Sequence, residues 1–383
     1  MLGLLHILTL LFLGIPFIVF GSYGSILLYF GRKKKSDEQD ENFEPTVSVV
    51  VPTHNEEIII SKKIDNTLLL DYPKEKIEII FVDDSSDSTP KIIEEYSKKY
   101  PYIHLIRFGE RIGYSPSMIA GCKAAKNEII VLSDAGSFLD TKALRHLVRH
   151  FSNPNIGLVT GRSVILNDTE GVGRAEKSYL EMANFVRNAE SHMDSTFYIK
   201  GEATAVRKRL IEDFDMCTAT FDSTAALIIK QKGYRAIYEP QVKFYEYAPK
   251  TYEDWGKQKT IRAANWIKML WRFRNMFFRR KHGKFGCITL PMQFSMLVVV
   301  PIALLMGLIS LTILTFLDPM FSINVWIILG AILLATFLFS RKIPITLFEF
   351  EYAILKALYQ IIFTRKEHDK IDKVISTRIR DDK

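Results

Sequence analysis

The chain has 383 residues, 48% hydrophobic and 25% charged, a balance that excludes both a disordered tail and a bare bundle of membrane helices. A mean hydropathy of +0.06 beside 51 Lys and Arg and 43 Asp and Glu implies a charged soluble part segregated from an apolar membrane part. Cys122, Cys217 and Cys287 lie too far apart for a disulfide framework or a thiolate zinc site, and the net charge of +8 points to acidic partners such as lipid headgroups or phosphates.

In chain order, residues 1–31 read as a transmembrane helix, because Leu2 to Phe30 is almost uncharged and long enough to cross a hydrocarbon core. No basic residue precedes it, whereas Arg32, Lys33, Lys34 and Lys35 follow, which is the wrong order for a signal peptide. The positive-inside rule then puts the following chain in the cytoplasm. Residues 32–45 are a basic, then acidic, linker. Residues 46–265 alternate strand-like and helix-like patterns, which predicts an α/β domain with a mainly parallel sheet. Strands are expected at Thr46–Pro52, at Ile77–Thr89 with acidic and hydroxyl residues at its end, at His104–Phe108 and at Glu128–Gly136, and helices at Glu57–Leu70, Pro90–Lys99 and Pro116–Lys126.

The rest of the chain returns to the membrane. Residues 266–287 mix Trp, Phe and Met with Arg and Lys, a pattern for an amphipathic helix on an anionic membrane surface. Residues 288–342 read as two transmembrane helices, Ile288–Leu317 and Ile323–Ser340, closed by Arg341 and Lys342. Residues 343–363 carry Glu349, Glu351 and Lys356 and are either an interfacial helix or a further crossing. Residues 364–383 form a charged cytoplasmic tail.

Neither a phosphate-loop lysine nor a G-x-G-x-x-G follows the first strand, which weakens ATPase, kinase and dehydrogenase readings. No basic helix has base-reading spacing, so nucleic acid is not an expected partner. His146 and His150 lie four apart on a helix, but without the zinc-protease glutamate and beside Arg145 and Arg149 they read as a solvated face. Three acidic sites remain. Asp83 and Asp84 end a hydrophobic strand, where they could bind a ribose, a base or a cation, or simply cap the following loop. Asp134 ends the strand IIVLSD and could hold Mg²⁺ or Mn²⁺ together with a nucleotide's phosphates. Asp222, taken alone, reads as a helix N-cap.

Their joint order changes that reading. From Val47 to about Trp266 the chain resembles the glycosyltransferase family 2 domain. SVVVPTHNEE (Ser48–Glu57) looks like its opening strand, FVDDSSDST like its nucleotide segment, and LSDAG stands at its D-x-D strand end. GEATAVRKRLI (Gly201–Ile211) is similar to a further segment, and Asp222 falls at the catalytic Asp, with Gly233-Tyr234 following at the family's interval. The resemblance implies a GT-A nucleotide-sugar-binding domain with transmembrane helices at its N- and C-terminal ends. It also implies an inverting transfer of sugar from a nucleotide-sugar to a lipid-linked or glycan acceptor, at the cytoplasmic face of the cell membrane and among its lipids.

By position, Thr53, Glu56, Asp83 and Asp84 would hold base and ribose. Asp134 would reach the diphosphate through Mg²⁺ or Mn²⁺, and Asp222 would be the general base. Gln258, Arg262 and Trp266 stand in the place of the Q-x-x-R-W element of membrane-embedded polysaccharide synthases, where Arg contacts the diphosphate and Trp the acceptor. The chain departs from these patterns at three points. Gly136 replaces the second D-x-D acid, Phe221 replaces the Glu before the catalytic Asp, and the Arg and Trp spacing is altered. Those departures motivate a rival expectation, a catalytically inactive, membrane-bound nucleotide-sugar- or partner-binding homologue.

Overall fold

In the computed structural model, which describes residues 2–32, 39–169, 171–211, 221–339 and 342–364, the sheet grows outward from one apolar strand. β1 (Val47–Thr53) is buried along its whole length, as its β-branched run requires of a strand covered on both faces. β2 (Ile77–Asp83) and β3 (Ile103–Arg107) add in parallel on one side, and β4 (Ile129–Leu132) on the other. β5 (Phe138–Leu139), β6 (Ile156–Ile165), β7 (Thr204–Arg207) and β8 (Arg235–Glu246) complete eight strands in the order β3-β2-β1-β4-β7-β6-β8-β5. β7 is antiparallel to both neighbours, so the parallel half ends at β4. The chain reverses its direction of growth at β1, and the crevice beyond the strand ends there is where open α/β sheets bind ligands.

Ahead of the sheet lies α1 (Leu2–Arg32); α2 (Ile60–Leu68), α3 (Thr89–Lys99), α4 (Tyr114–Ala124) and α5 (Ala143–Val148) connect the first strands. α6 (Gly171–Met193), α7 (Phe221–Gln231) and α8 (Tyr252–Arg272) follow β6, β7 and β8. α2 is shorter than its sequence pattern predicts. Asn55 takes a left-handed φ of 57° and accepts from the Ser86 N–H, and the Glu57 carboxylate accepts from the Ser88 N–H. Residues 55–57 are spent on bonds to the next loop, so the helix starts after them.

The stretch read as one surface helix over 266–287 is instead the end of α8 followed by two short 3₁₀ turns, Arg274–Met276 and Arg280–His282. α9 (Leu290–Phe294) and α10 (Val300–Leu317) follow, with π-turns at Phe285–Thr289 and Ser295–Val299. Those wider turns precede Pro291 and Pro301, whose rings cannot sit against an ordinary α-turn. α11 (Pro319–Phe339) and α12 (Lys342–Tyr359) end the described chain.

Among the described residues three helices are long and apolar enough to cross a membrane: Leu2–Arg32, Phe285–Leu317 and Pro319–Leu338. α1 and α10 meet closely, because a Cβ on Gly307 would lie 2.8 Å from Leu13, and Thr9 donates to Ser310 at 2.9 Å across the contact. α12 is not among the three, and its Ile354, Ala357 and Leu358 are buried in one cluster with Ala264, Trp266 and Leu270 of α8. Lys33 to Glu38 of the linker, Arg341 and the tail from residue 365 lie outside the described residues.

Candidate active site

The first group of side chains stands at the ends of β1 and β2, where the sheet register sets Thr53 opposite Asp83. Thr53 Oγ1 donates to Asp83 Oδ2 at 2.7 Å, and Ser85 donates to the same carboxylate from its hydroxyl at 2.7 Å and its N–H at 3.2 Å. Asp84 reaches across to the next loop. Its Oδ2 accepts the N–H groups of Ile112 and Gly113, each at 2.9 Å, and its Oδ1 lies 2.8 Å from His54 Nδ1. Gly113 can present its N–H this way because it holds φ +89°, a conformation side chains resist. Glu56, partly exposed, flanks the group, and its N–H donates to Thr89 Oγ1 at 2.8 Å.

Asp134 sits two residues beyond β4, where the chain leaves the sheet in a turn closed by Ser137 N–H to its carbonyl. Tyr114, the first residue of α4, donates to Asp134 Oδ1 at 3.0 Å. Behind that turn lies Lys63, wholly buried, donating to Ser133 Oγ and to the Ser137 carbonyl, both at 2.7 Å. Burial pushes the lysine down to about 7, against the pull of Asp134. Asp134 itself is pushed up to about 7, first by burial and then by the Glu202 carboxylate. The carbonyl of Glu202 accepts from Ser133 Oγ at 3.1 Å, which brings the two acidic segments side by side.

Close to this point lies a charged group in which the sequence reading gave a role to Arg262 but not to Lys200, Glu202, Glu176 or Lys259. Lys200 Nζ lies 2.9 Å from Glu246, the last residue of β8, and 3.5 Å from Glu202. On the facing helices, Glu176 of α6 pairs with Lys259 of α8 at 2.7 Å, and Lys259 also stands over the Tyr179 ring at 3.3 Å. Burial alone would raise Glu176, yet Lys259, Arg262 and Lys200 hold its carboxyl down at about 2. Burial would likewise lower Arg262, but Tyr198, Glu176, Glu202 and Glu246 keep its guanidinium charged. These residues come from α6, α8, β8 and the segment before β7. The signal available in sequence was the GEATAV string and the Glu246 segment, both visible, but neither states which side chain faces the cleft.

Of the remaining sequence candidates, Asp222 is the second residue of α7 and its side chain lies outside the described residues. Gln258 is buried one turn before Arg262 on α8. Trp266 is buried too, with the Tyr198 and Phe197 rings edge-on at 4.9 and 6.2 Å, so its indole is a packing element between α8 and the 197–198 segment. His150 is buried rather than solvated, with Nε2 2.7 Å from Glu239, because Arg149 and His150 together surround that carboxylate.

Among the described residues no three His, Cys, Asp or Glu side chains gather as a ready-made metal site. The oxygen donors nevertheless suit a hard divalent ion. Asp134 is crowded by Glu202, a like charge that a cation relieves, and Mg²⁺ accepts one or two carboxylates plus phosphates and waters.

Residues 48–214 match the family model for glycosyl transferase family 2. The chain is similar to the probable glycosyltransferase YdaM of Bacillus subtilis, 26% identical over 72% of this chain and 69% of that one. It is equally similar, at 26% over 72% and 68%, to the poly-beta-1,6-N-acetyl-D-glucosamine synthase of Staphylococcus aureus. Among solved structures, the mannosyltransferase PcManGT from Pyrobaculum calidifontis, in complex with GDP-Man and Mn²⁺, superposes with a TM-score of 0.76 at 25% identity. That match covers 96% of this chain and all of the other, so the similarity takes in the membrane-length helices as well as the GT-A sheet.

Proposed function

The chain carries a glycosyl transferase family 2 domain and is a glycosyltransferase; from that premise we propose that it moves a sugar, with inversion, from a nucleotide-sugar to a lipid-linked or glycan acceptor at the cytoplasmic membrane face. The observation that carries this reading is the meeting of two acidic segments after β4, where Ser133 Oγ beside Asp134 donates to the Glu202 carbonyl at 3.1 Å and Lys200 stands 3.5 Å from the Glu202 carboxylate. Opposed charges are held there at a point where a diphosphate would leave. The known ligands of PcManGT, GDP-Man and Mn²⁺, support a nucleotide-sugar donor and a divalent ion.

In the proposed reaction Thr53, Glu56, Asp83 and Asp84 orient base and ribose at the β1 and β2 ends. Asp134, with Glu202 behind it, would hold the metal, and when bound the ion neutralises charge on the departing diphosphate. Lys200 and Arg262 stabilise that same charge as preorganised cations. Asp222, at the start of α7, takes the proton from the acceptor hydroxyl as that oxygen attacks the anomeric carbon. A single displacement of this kind inverts the centre, by the face logic of inverting glycosidases. An acceptor on a lipid or a growing glycan gives three membrane-length helices a purpose that a soluble acceptor would not.

The test is release of nucleoside diphosphate by the full chain in lipid nanodiscs across a panel of nucleotide-sugars, with and without Mg²⁺ or Mn²⁺. Release from one donor, abolished by chelation, is the expected result. Donor binding without any release, with lipid and glycan acceptors both supplied, would replace transfer by the inactive-homologue reading.

A further inference from the structure

The end of α6 and the residue just after it carry two acids that the proposed chemistry does not use, Glu190 buried and Asp194 half-buried. Glu190 is wholly buried. Its Oε1 accepts from the Tyr23 hydroxyl at 2.5 Å and from Gln293 Nε2 at 2.8 Å. Its Oε2 accepts from Thr196 Oγ1 at 2.8 Å and from the Phe197 N–H at 3.1 Å. Tyr23 belongs to α1, and Gln293 to α9 inside the second membrane-length helix. One carboxylate therefore ties two membrane helices to the backbone just after α6. Four residues on, Asp194 repeats the arrangement. Its Oδ1 lies 2.5 Å from Lys230 of α7, and its Oδ2 accepts the N–H of Phe285, where that second membrane-length helix begins.

A buried carboxylate is costly unless its lone pairs are filled, and both Glu190 oxygens accept twice here. Apolar side chains would fasten helices together without that cost. What the carboxylate adds is direction, because it fixes a particular N–H, that of Phe197. From there the path to the site is short. The Phe197 and Tyr198 rings pack on Trp266 of α8, and the Tyr198 carbonyl accepts from Arg187 Nε at 3.0 Å. Two residues later Lys200 reaches Glu246 and Glu202.

We propose that Glu190 is a positioning residue that registers the Thr196–Lys200 segment, and with it the Lys200–Glu202–Glu246 group, against the seating of α1 and the second membrane-length helix. The inference rests on the reading of that group as part of the transfer site. It makes the membrane helices more than an anchor: their placement would set the geometry of charges well inside the soluble domain.

The experiment uses the full chain in lipid nanodiscs and reads amide hydrogen exchange together with nucleoside diphosphate release. Tyr23→Phe and Glu190→Gln should each speed exchange over Phe197–Lys200 by ~10-fold, the scale of a lost hydrogen bond to a charged group, and leave Ile77–Asp83 unchanged. Glu190→Gln should lower kcat by ~10-fold with donor KM within about twofold, the signature of a group that acts after donor binding. The double variant should lose no more than Glu190→Gln alone, since both act through one carboxylate. Unchanged exchange at Phe197–Lys200 in both variants would overturn the coupling. Faster exchange with unchanged kcat, or a loss spread over all amides and over donor KM, would overturn the positioning role and leave a plain structural contact. If the unaltered chain released nothing from any donor, the transfer reading would fall, while the exchange data would still decide whether Tyr23 and Glu190 govern this segment.

Discussion

The two ends of the candidate site handle their carboxylates in opposite ways. At the β1 and β2 ends, Asp83 and Asp84 are surrounded by donors that the protein itself supplies: Thr53 and Ser85 for one, the Ile112 and Gly113 N–H groups and His54 for the other. At the β4 end, Asp134 has one hydroxyl donor, Tyr114, a like charge nearby in Glu202, and the buried Lys63 as a weaker opposing charge. The first region is built to keep its shape with or without a ligand. The second is left electrostatically incomplete, and carboxylates crowded together call for a cation or a proton. The contrast suggests a division of labour in which the rigid end orients the nucleotide and the incomplete end does chemistry once the donor's phosphates and metal arrive.

The largest effect is expected where the reaction needs a proton acceptor. Asp222→Asn should retain nucleotide-sugar binding while lowering turnover by ~10² to 10⁴, the usual worth of a general base. Near-normal nucleoside diphosphate release would remove Asp222 from the mechanism and move the search to another acid of the incomplete end. Asp134→Ala should abolish the Mg²⁺ or Mn²⁺ dependence of donor binding, read by titration with and without chelator. Metal dependence that survives would mean that this end is completed by protein cations alone.

The α6–α8 pair offers a stability test of the same region. Glu176 falls to about 2 in the fold against an ordinary 4.5, so the unfolded chain binds more protons between those values and the pair's contribution is lost as pH falls through them. Glu176→Gln strands Lys259 in a buried site and should cost about 3 kcal/mol at neutral pH, the usual penalty for breaking a buried ion pair. It should also flatten the acid limb of thermal stability between about pH 4.5 and 2. A variant with an unchanged melting temperature at pH 7 would show that Lys259, which burial holds down at about 7, sheds its proton or finds another partner. Glu202→Gln should be milder still, ~10–100-fold in metal affinity, the cost of losing a supporting group beside a metal ligand.

This contrast also explains what the sequence made legible. The rigid end is local: a β-branched strand, then acids and hydroxyls within a few residues, so TVSVVVPT and FVDDSSDST point to their own placement. The three membrane-length helices were legible for the same reason, as a run of apolar residues needs no partner to be recognised. The incomplete end is not local. Lys63, Glu176, Lys200, Glu202, Glu246 and Arg262 are scattered over two hundred residues, and only the sheet order β1-β4-β7-β6-β8 with α6 and α8 above it brings them together. Trp266 shows the converse. Its motif position implied an acceptor contact, and the sequence did not show that the indole also packs on Tyr198 and Phe197. The 266–287 stretch is not one helix, because α8 ends at Arg272 and the positive φ at Phe278 and Gly283, which amphipathic composition does not reveal, turns the chain again beyond it.

The smallest effect probes the rigid end without touching a side chain that meets the ligand. Gly113 has φ +89° and ψ 168°, a region that residues other than glycine enter at a cost of ~1–3 kcal/mol. No atom would lie within 4 Å of an added Cβ, so Gly113→Ala tests backbone conformation and nothing else. To relieve the strain the loop must rotate its N–H away from Asp84 Oδ2, which frees one oxygen of a carboxylate that is otherwise fully engaged. If the β1 and β2 ends orient the nucleotide by rigidity, donor KM should rise severalfold, within the ~10-fold that 1.4 kcal/mol allows, while kcat at saturating donor changes little. A fall in kcat with donor KM unchanged would mean that the Gly113 turn acts through Tyr114 on Asp134, and that the two ends are not independent.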